Sequence, residues 1–136
     1  MRILKLSTLP FCLCALLLLG ACRSGPVYNV NLAPIPTGQA EKRPTMDQIQ
    51  KAIVMAGAGL GWNMSIQKPG HIVASISLRK HQATVDITYN ETEYNITYKN
   101  SVNLDYKGST IHSNYNGWVQ NLDNAIKRNL VSEAYK

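Results

Sequence analysis

Residues 62–99 read WNMSIQKPGHIVASISLRKHQATVDITYNETEYNITYK. Trp62, Met64 and Ile66 alternate with Asn63, Ser65 and Gln67. Ile72, Ala74, Ile76 and Leu78 alternate with Val73, Ser75, Ser77 and Arg79. The pattern repeats in Ala83, Val85, Ile87 and Tyr89 against Thr84, Asp86 and Thr88, and again in Tyr94, Ile96 and Tyr98 against Asn95, Thr97 and Lys99. Short turn-forming stretches, Lys68-Pro69-Gly70, Arg79-Lys80-His81 and Asn90-Glu91-Thr92-Glu93, separate the runs. Period two through four successive runs predicts an antiparallel meander of four strands. One face is apolar throughout; the other, rich in Ser, Thr, Asn and charge, is expected to meet water.

A helix is predicted on each side of this sheet. Thr45-Met46-Asp47-Gln48 reads as a capping box after Pro44, and Asp47 complements the positive helix end. Met46, Ile49, Ile53, Ala56 and Leu60 fall at helical spacing and form its apolar stripe. Gly57, Gly59 and Gly61 end it; following a helix and lacking a Lys-Ser/Thr pair, they do not make a phosphate loop. After an irregular stretch in which Leu104, Tyr106 and Ile111 are expected to tuck against the domain, Asn114 or Asn116 can cap a second helix. Its stripe is Trp118, Leu122, Ala125, Ile126 and Leu130, and its wet face Gln120, Asp123, Lys127 and Arg128. The expected fold is therefore α+β: a two-layer sandwich of helix, four-stranded meander and helix, with both helices on one sheet face.

Upstream, residues 1–21 have the anatomy of a secretory leader. Arg2 and Lys5 make it positive, Leu9–Leu19 is apolar, and Gly20 and Ala21 are small. The apolar run is too short to span a bilayer. Leu19-Gly20-Ala21-Cys22 resembles the lipobox of bacterial lipoproteins, in which the peptidase cuts before a cysteine that is then acylated. The resemblance implies a membrane anchor on Cys22, and Arg23 after it implies the outer membrane, with the domain facing the periplasm. Each buried methylene contributes about 0.8 kcal/mol, so two or more chains hold stably where one does not. Cys12 and Cys14 leave with the leader, so Cys22 would be the sole cysteine of the mature chain, which then has no disulfide.

Removal of the leader leaves 115 residues, enough for one domain, and lowers the formal charge from +6 to +4. That balance suits anionic headgroups or acidic partners. Nucleic acid is disfavoured by the compartment and by the absence of a basic helix. Residues 22–44 contain Pro26, Pro34, Pro36 and Pro44 with Gly25 and Gly38, and read as a tether holding a domain of residues 45–136 on the order of 25–30 Å from its anchor. Within it Tyr28, Val30 and Leu32 alternate with Asn29 and Asn31, a pattern that can add a strand to a sheet edge, the domain's own or a partner's. The plainer reading, a tether with a few apolar residues, sets the domain boundary used here.

The element order loosely resembles the helix-grip and TATA-binding-protein-like domains found in accessory lipoproteins of outer-membrane protein assembly. Separately, Ile111-His112-x-x-Tyr115-Asn116-x-Trp118 looks like sequences of small proteobacterial lipoproteins of uncharacterised function. Neither resemblance implies chemistry.

No catalytic, cofactor or metal site is expected. His71, His81 and His112 are spread over two turns and a loop without thiolates, unlike a zinc set, and His71 and His81 read as solvated turn residues. Asp86 and Glu93 on a flat sheet do not form a hydrolytic carboxylate pair, and a salt bridge or plain solubility explains Asp86 better. No serine sits in a Gly-x-Ser-x-Gly elbow. Three surfaces remain as binding candidates. One is the basic tip Arg79, Lys80 and His81. Another is the flat hydroxyl and amide face of Ser75, Ser77, Thr84, Thr88, Asn95 and Thr97. The last is an aromatic cavity of Trp62, Trp118, Tyr89, Tyr94 and Tyr98, for which a plain aromatic core is the simpler account. The leading expectation is a non-catalytic lipoprotein acting through contacts with an envelope protein. The alternatives are a carrier or sensor holding an apolar ligand between sheet and helices and, less favoured, an enzyme.

Overall fold

The computed structural model describes residues 23–136. Cys22, expected to carry the lipid, and the leader before it lie outside the described residues. The chain is α+β, with two helices and two antiparallel sheets. Seven strands and the helices run in the order β1 (Ser24–Pro26), β2 (Val30–Pro34), α1 (Met46–Gly59), β3 (Asn63–Lys68), β4 (His71–Leu78), β5 (His81–Tyr89), β6 (Glu93–Val102), β7 (Thr110–His112) and α2 (Ser113–Ala134). A single 3-10 turn, Gln39–Glu41, lies between β2 and α1.

The four alternating runs form β3 to β6. Their register puts Ile72 opposite Ile87, Ala74 opposite Val85 and Ile76 opposite Ala83, and then Ile87 opposite Ile96. Every second residue thus falls on one buried face, as period two requires. The β3–β4 turn uses Gly70 at φ +85°, a left-handed conformation that glycine adopts without strain. A Cβ there would lie 3.0 Å from the carbonyl oxygen of Tyr89.

The main sheet has five strands, not four. Its order is β2-β6-β5-β4-β3, so β2 closes the open side of β6. A second, two-stranded sheet pairs β1 with β7, Ser24 opposite His112 and Pro26 opposite Thr110. The stretch read as a tether is therefore built into the fold from Ser24 to Pro34. Its apolar alternation also breaks. Val30 is buried, but a bulge follows it, and Leu32 turns outward at φ +52° with 64% of its surface exposed. Ala33 and Ile35 take the inward positions instead. A bulge shifts the phase of every later side chain, which a strict period-two reading cannot anticipate.

Helix α1 begins as its sequence indicates. Thr45 Oγ1 accepts from the Gln48 amide at 3.3 Å, and Gln48 Oε1 accepts from the Thr45 amide at 2.8 Å. Its buried residues are Ile49, Ala52, Ile53, Ala56 and Gly57; Leu60 lies past the last turn and is exposed. Helix α2 starts earlier than the Asn114 or Asn116 cap would place it. His112 is the cap, its Nδ1 accepting from the Asn114 amide at 3.1 Å. Asp123, assigned from sequence to the wet face, is buried, whereas Trp118 is only half-buried. In the irregular stretch Leu104 and Ile111 are buried and Tyr106 is exposed. The buried residues of the five-stranded sheet, both helices and β7 form one hydrophobic cluster.

Candidate functional site

The basic tip occurs where the sequence puts it, but it is not isolated. Arg79 and Lys80 are exposed, and Arg79 takes φ +57°, an uncommon value for a side chain with a Cβ. His81 is half-buried rather than free. Its Nδ1 donates to the Asn103 carbonyl at 2.7 Å, and Asn103 Nδ2 donates to the Lys80 carbonyl at 2.8 Å. The His81 ring stacks towards that of His112, with centroids 6.4 Å apart. Through these contacts the β4–β5 tip, the loop after β6 and the start of α2 meet at one end of the molecule.

Arg23 completes that end. Its carbonyl accepts from the Ser113 amide at 2.6 Å, fixing the chain beside the first turn of α2. Arg23, Ser24, Asp105, Lys107, Thr110 and His112 line a shallow cleft of about 110 Å³. Because His112 Nδ1 already accepts the capping bond, its neutral ring carries the proton on Nε2. The groups offered here are two cations, one carboxylate, two hydroxyls and an imidazole.

The segment holding Tyr28, Val30 and Leu32 is engaged within the domain. Asn116 clamps its first part, donating through Nδ2 to the Pro26 carbonyl at 2.8 Å and accepting at Oδ1 from the Tyr28 amide at 2.9 Å. Further along, Asn29 Oδ1 accepts from the Tyr98 amide at 2.9 Å and Asn95 Oδ1 from the Leu32 amide at 2.8 Å. These side-chain bonds supplement the interrupted ladder between β2 and β6. The run Ile111-His112-x-x-Tyr115-Asn116-x-Trp118 thus acquires a physical meaning. It supplies a core residue, a helix cap, a buried ring and the clamp on residues 26–28.

On the polar sheet face, Ser75 lies opposite Thr84, and Thr88 opposite Asn95, so the hydroxyl and amide residues do share one surface. At its centre His71 Nε2 donates to Asp86 Oδ1 at 2.7 Å, and Lys99 Nζ donates to Asp86 Oδ2 at 3.0 Å. His71 is therefore a half-buried partner of Asp86, not a solvated turn residue. Partial burial works to raise the Asp86 carboxyl, but the bonds from His71 and Lys99 outweigh it and hold the group below its ordinary value. Both Asp86 oxygens are occupied by cationic or imidazole donors on an open face.

Sequence reasoning missed one polar cluster. Asp123 accepts from the Tyr94 hydroxyl at 2.5 Å and from Lys127 Nζ at 2.6 Å. Burial pushes the Tyr94 phenol well above its ordinary value, and Asp123 pushes it further. The i,i+4 spacing of Asp123 and Lys127 was the available signal, since it marks an acid that can bring its own counter-charge inward. Two turns earlier on α2, Tyr115 is buried with its hydroxyl unpartnered, edge-on to Tyr98 at 5.5 Å; burial raises this phenol too.

The five aromatic residues do not line one common cavity among the described residues: Trp62 and Trp118 border a shallow surface depression of about 100 Å³ with Leu60, Ile76, Leu78 and Asn121, away from the tyrosines. Trp62, Tyr89 and Tyr94 are buried in the core, and Tyr98 stacks on exposed Tyr106 at 4.1 Å. The largest depression described is about 210 Å³, on the surface beside Tyr135 and Gln39. Drug-sized ligands occupy about 300–1,000 Å³. Among the described residues, no three His, Cys, Asp or Glu side chains converge as a metal set, and no helix is long and apolar enough to cross a membrane. Comparison with protein-family models, curated proteins and solved structures found no match.

Proposed function

We propose that this is a non-catalytic lipoprotein of the cell envelope, anchored through Cys22 and working by contact with another envelope protein. Its role would be accessory, as in assembly. Both helices would cover the single apolar face of the main sheet in a two-layer arrangement, leaving the opposite face and the edges for contacts. The supporting observation is β3. It is the last strand of the sheet, exposed along almost its whole length, with Ile66 49% exposed. A strand of this kind offers unpaired amides and carbonyls, to which an extended partner segment adds by main-chain hydrogen bonds. The other edge, β2, is broken in its middle by a bulge and ends in Pro34, which has no amide to offer, whereas the irregularity in β3 falls near its end, between Ile66 and Lys68, so β3 is the better acceptor.

The carrier reading finds less support, because the buried aliphatic and aromatic side chains of strands and helices form one continuous cluster. The test is photo-crosslinking in living cells from positions Ser65 and Gln67 on β3, with Asn100 on β6 as control. Adducts at Ser65 and Gln67 that disappear with Ile66→Lys support the reading. Adducts only from Asn100, or none at β3, remove β3 as the contact. Labelling with a palmitate analogue tests the anchor: wild type should take it up and Cys22→Ala should not.

A further inference from the structure

We infer that the end of the domain bearing Arg23 rests on an anionic lipid bilayer, with the β4–β5 tip and the 103–109 loop against the headgroups. This rests on the lipid-anchor reading of Cys22 and adds an orientation to it. The first argument is chain length. Arg23 is already fixed to Ser113, and Ser24 to His112. Consecutive Cα atoms across a trans peptide lie about 3.8 Å apart, so a lipid on Cys22 holds this end of the domain at headgroup level. The long tether expected from the sequence does not separate the two.

Charge is the second argument. Arg23, Arg79, Lys80 and Lys107 are all exposed at this end, and Asp105 is its only carboxylate among the described residues. At the opposite end, reached by the β5–β6 turn and by the termini where α1 starts and α2 stops, Glu41, Asp47, Glu91, Glu93 and Glu133 offset the local lysines and arginines. The nine residues of β5 put about 30 Å between the two ends. The Debye length at physiological salt is about 8 Å, so only the near end feels an anionic surface.

Apolar side chains make the third argument. Leu60, Leu78 and Val102 are exposed at this same end, and half-buried Trp118 shares a shallow depression with Leu60 and Leu78. Basic groups mixed with aliphatic and indole side chains fit a membrane interface better than they fit bulk water.

The experiment uses the full acylated chain in vesicles, with one cysteine introduced by Ser77→Cys at the near end or Glu91→Cys at the far end. Each carries a fluorophore, and quenching by headgroup-attached nitroxide is measured. In phosphatidylglycerol vesicles the Ser77 position should be quenched strongly and the Glu91 position weakly. Each basic group near an anionic leaflet biases docking roughly five-fold, so Arg79→Gln, Lys80→Gln and Lys107→Gln together should lower the docking equilibrium constant on the order of a hundred-fold, read as loss of the quenching contrast. High salt or phosphatidylcholine vesicles should likewise erase the contrast. Equal quenching at both positions, or a contrast indifferent to charge and salt, overturns the inference while leaving the anchor intact. Protein rather than lipid adducts from a photo-crosslinker at Ser77 also overturn it. A chain that takes up no acyl label and does not float with vesicles overturns the anchor reading and this one together.

Discussion

Asp123 shows how a single residue can defy its helical position. It stands beside Leu122 on a helix whose polar side should hold it, yet it is buried, paired with Tyr94 and Lys127. Removing the Tyr94 hydroxyl leaves a buried carboxylate short of a donor. Tyr94→Phe is expected to cost about 1.5–3 kcal/mol in urea denaturation, since hydrogen bonds to charged groups are worth that much. Adding Asp123→Leu should recover most of the loss, because an apolar pair of similar volume substitutes well for a buried polar one. Asp86 acts on the pH axis. Its carboxyl is held below the ordinary 3.8, so its contribution is complete above that value and is lost as pH falls through the lowered folded value. Asp86→Asn should flatten this acid limb of the stability profile. The pair is partly solvated, so the difference at neutral pH should be about 1 kcal/mol or less in paired denaturation curves.

At the scale of elements, the segment between β2 and α1 behaves as a fitted strap. Gly38 donates its amide to the Lys42 carbonyl at 2.8 Å, and a Cβ there would come within 1.7 Å of the Ala134 carbonyl oxygen at the end of α2. Main chain cannot swing aside as a flexible side chain does. Gly38→Ala should therefore destabilise by about 1–3 kcal/mol, read as a lowered melting temperature. Thr45→Ala, which removes half of the α1 capping box, should cost about 1 kcal/mol in the same measurement. A tether free of the domain would leave Gly38 insensitive.

For the whole molecule, the N-terminal segment is part of the folding unit. Val30, Ala33 and Ile35 enter the common core, and two strand pairings depend on residues 24–34. Full burial of a Val or Ile side chain contributes about 1.5–3 kcal/mol, against a total stability of about 5–15 kcal/mol for a domain. A chain beginning at Thr37 should therefore lose cooperative unfolding or melt far below a chain beginning at Arg23. Circular dichroism on the two, both without a lipid, makes the comparison. Equal melting curves would return residues 23–36 to the role of a spacer.

The meander and the two helices were legible because their information is local. Alternation in residues 72–99 and a capping box at Thr45 need only neighbouring residues to be recognised. What occupies the open side of β6 was not legible in this way. Pro26, Pro34 and Pro36 lower the local tendency to form a strand, and only β6, about 60 residues later, supplies the partner groups that stabilise one. The burial of Asp123 depends likewise on Tyr94, 29 positions away, and the capping role of His112 on where β7 stops. The sequence by itself determined the strand periods and the α1 cap, because these follow from backbone geometry over a few residues. Tertiary structure alone decided that Ser24–Pro26 pair with β7 and Val30–Pro34 with β6, because unpaired backbone groups are satisfied by whichever strand packing brings alongside.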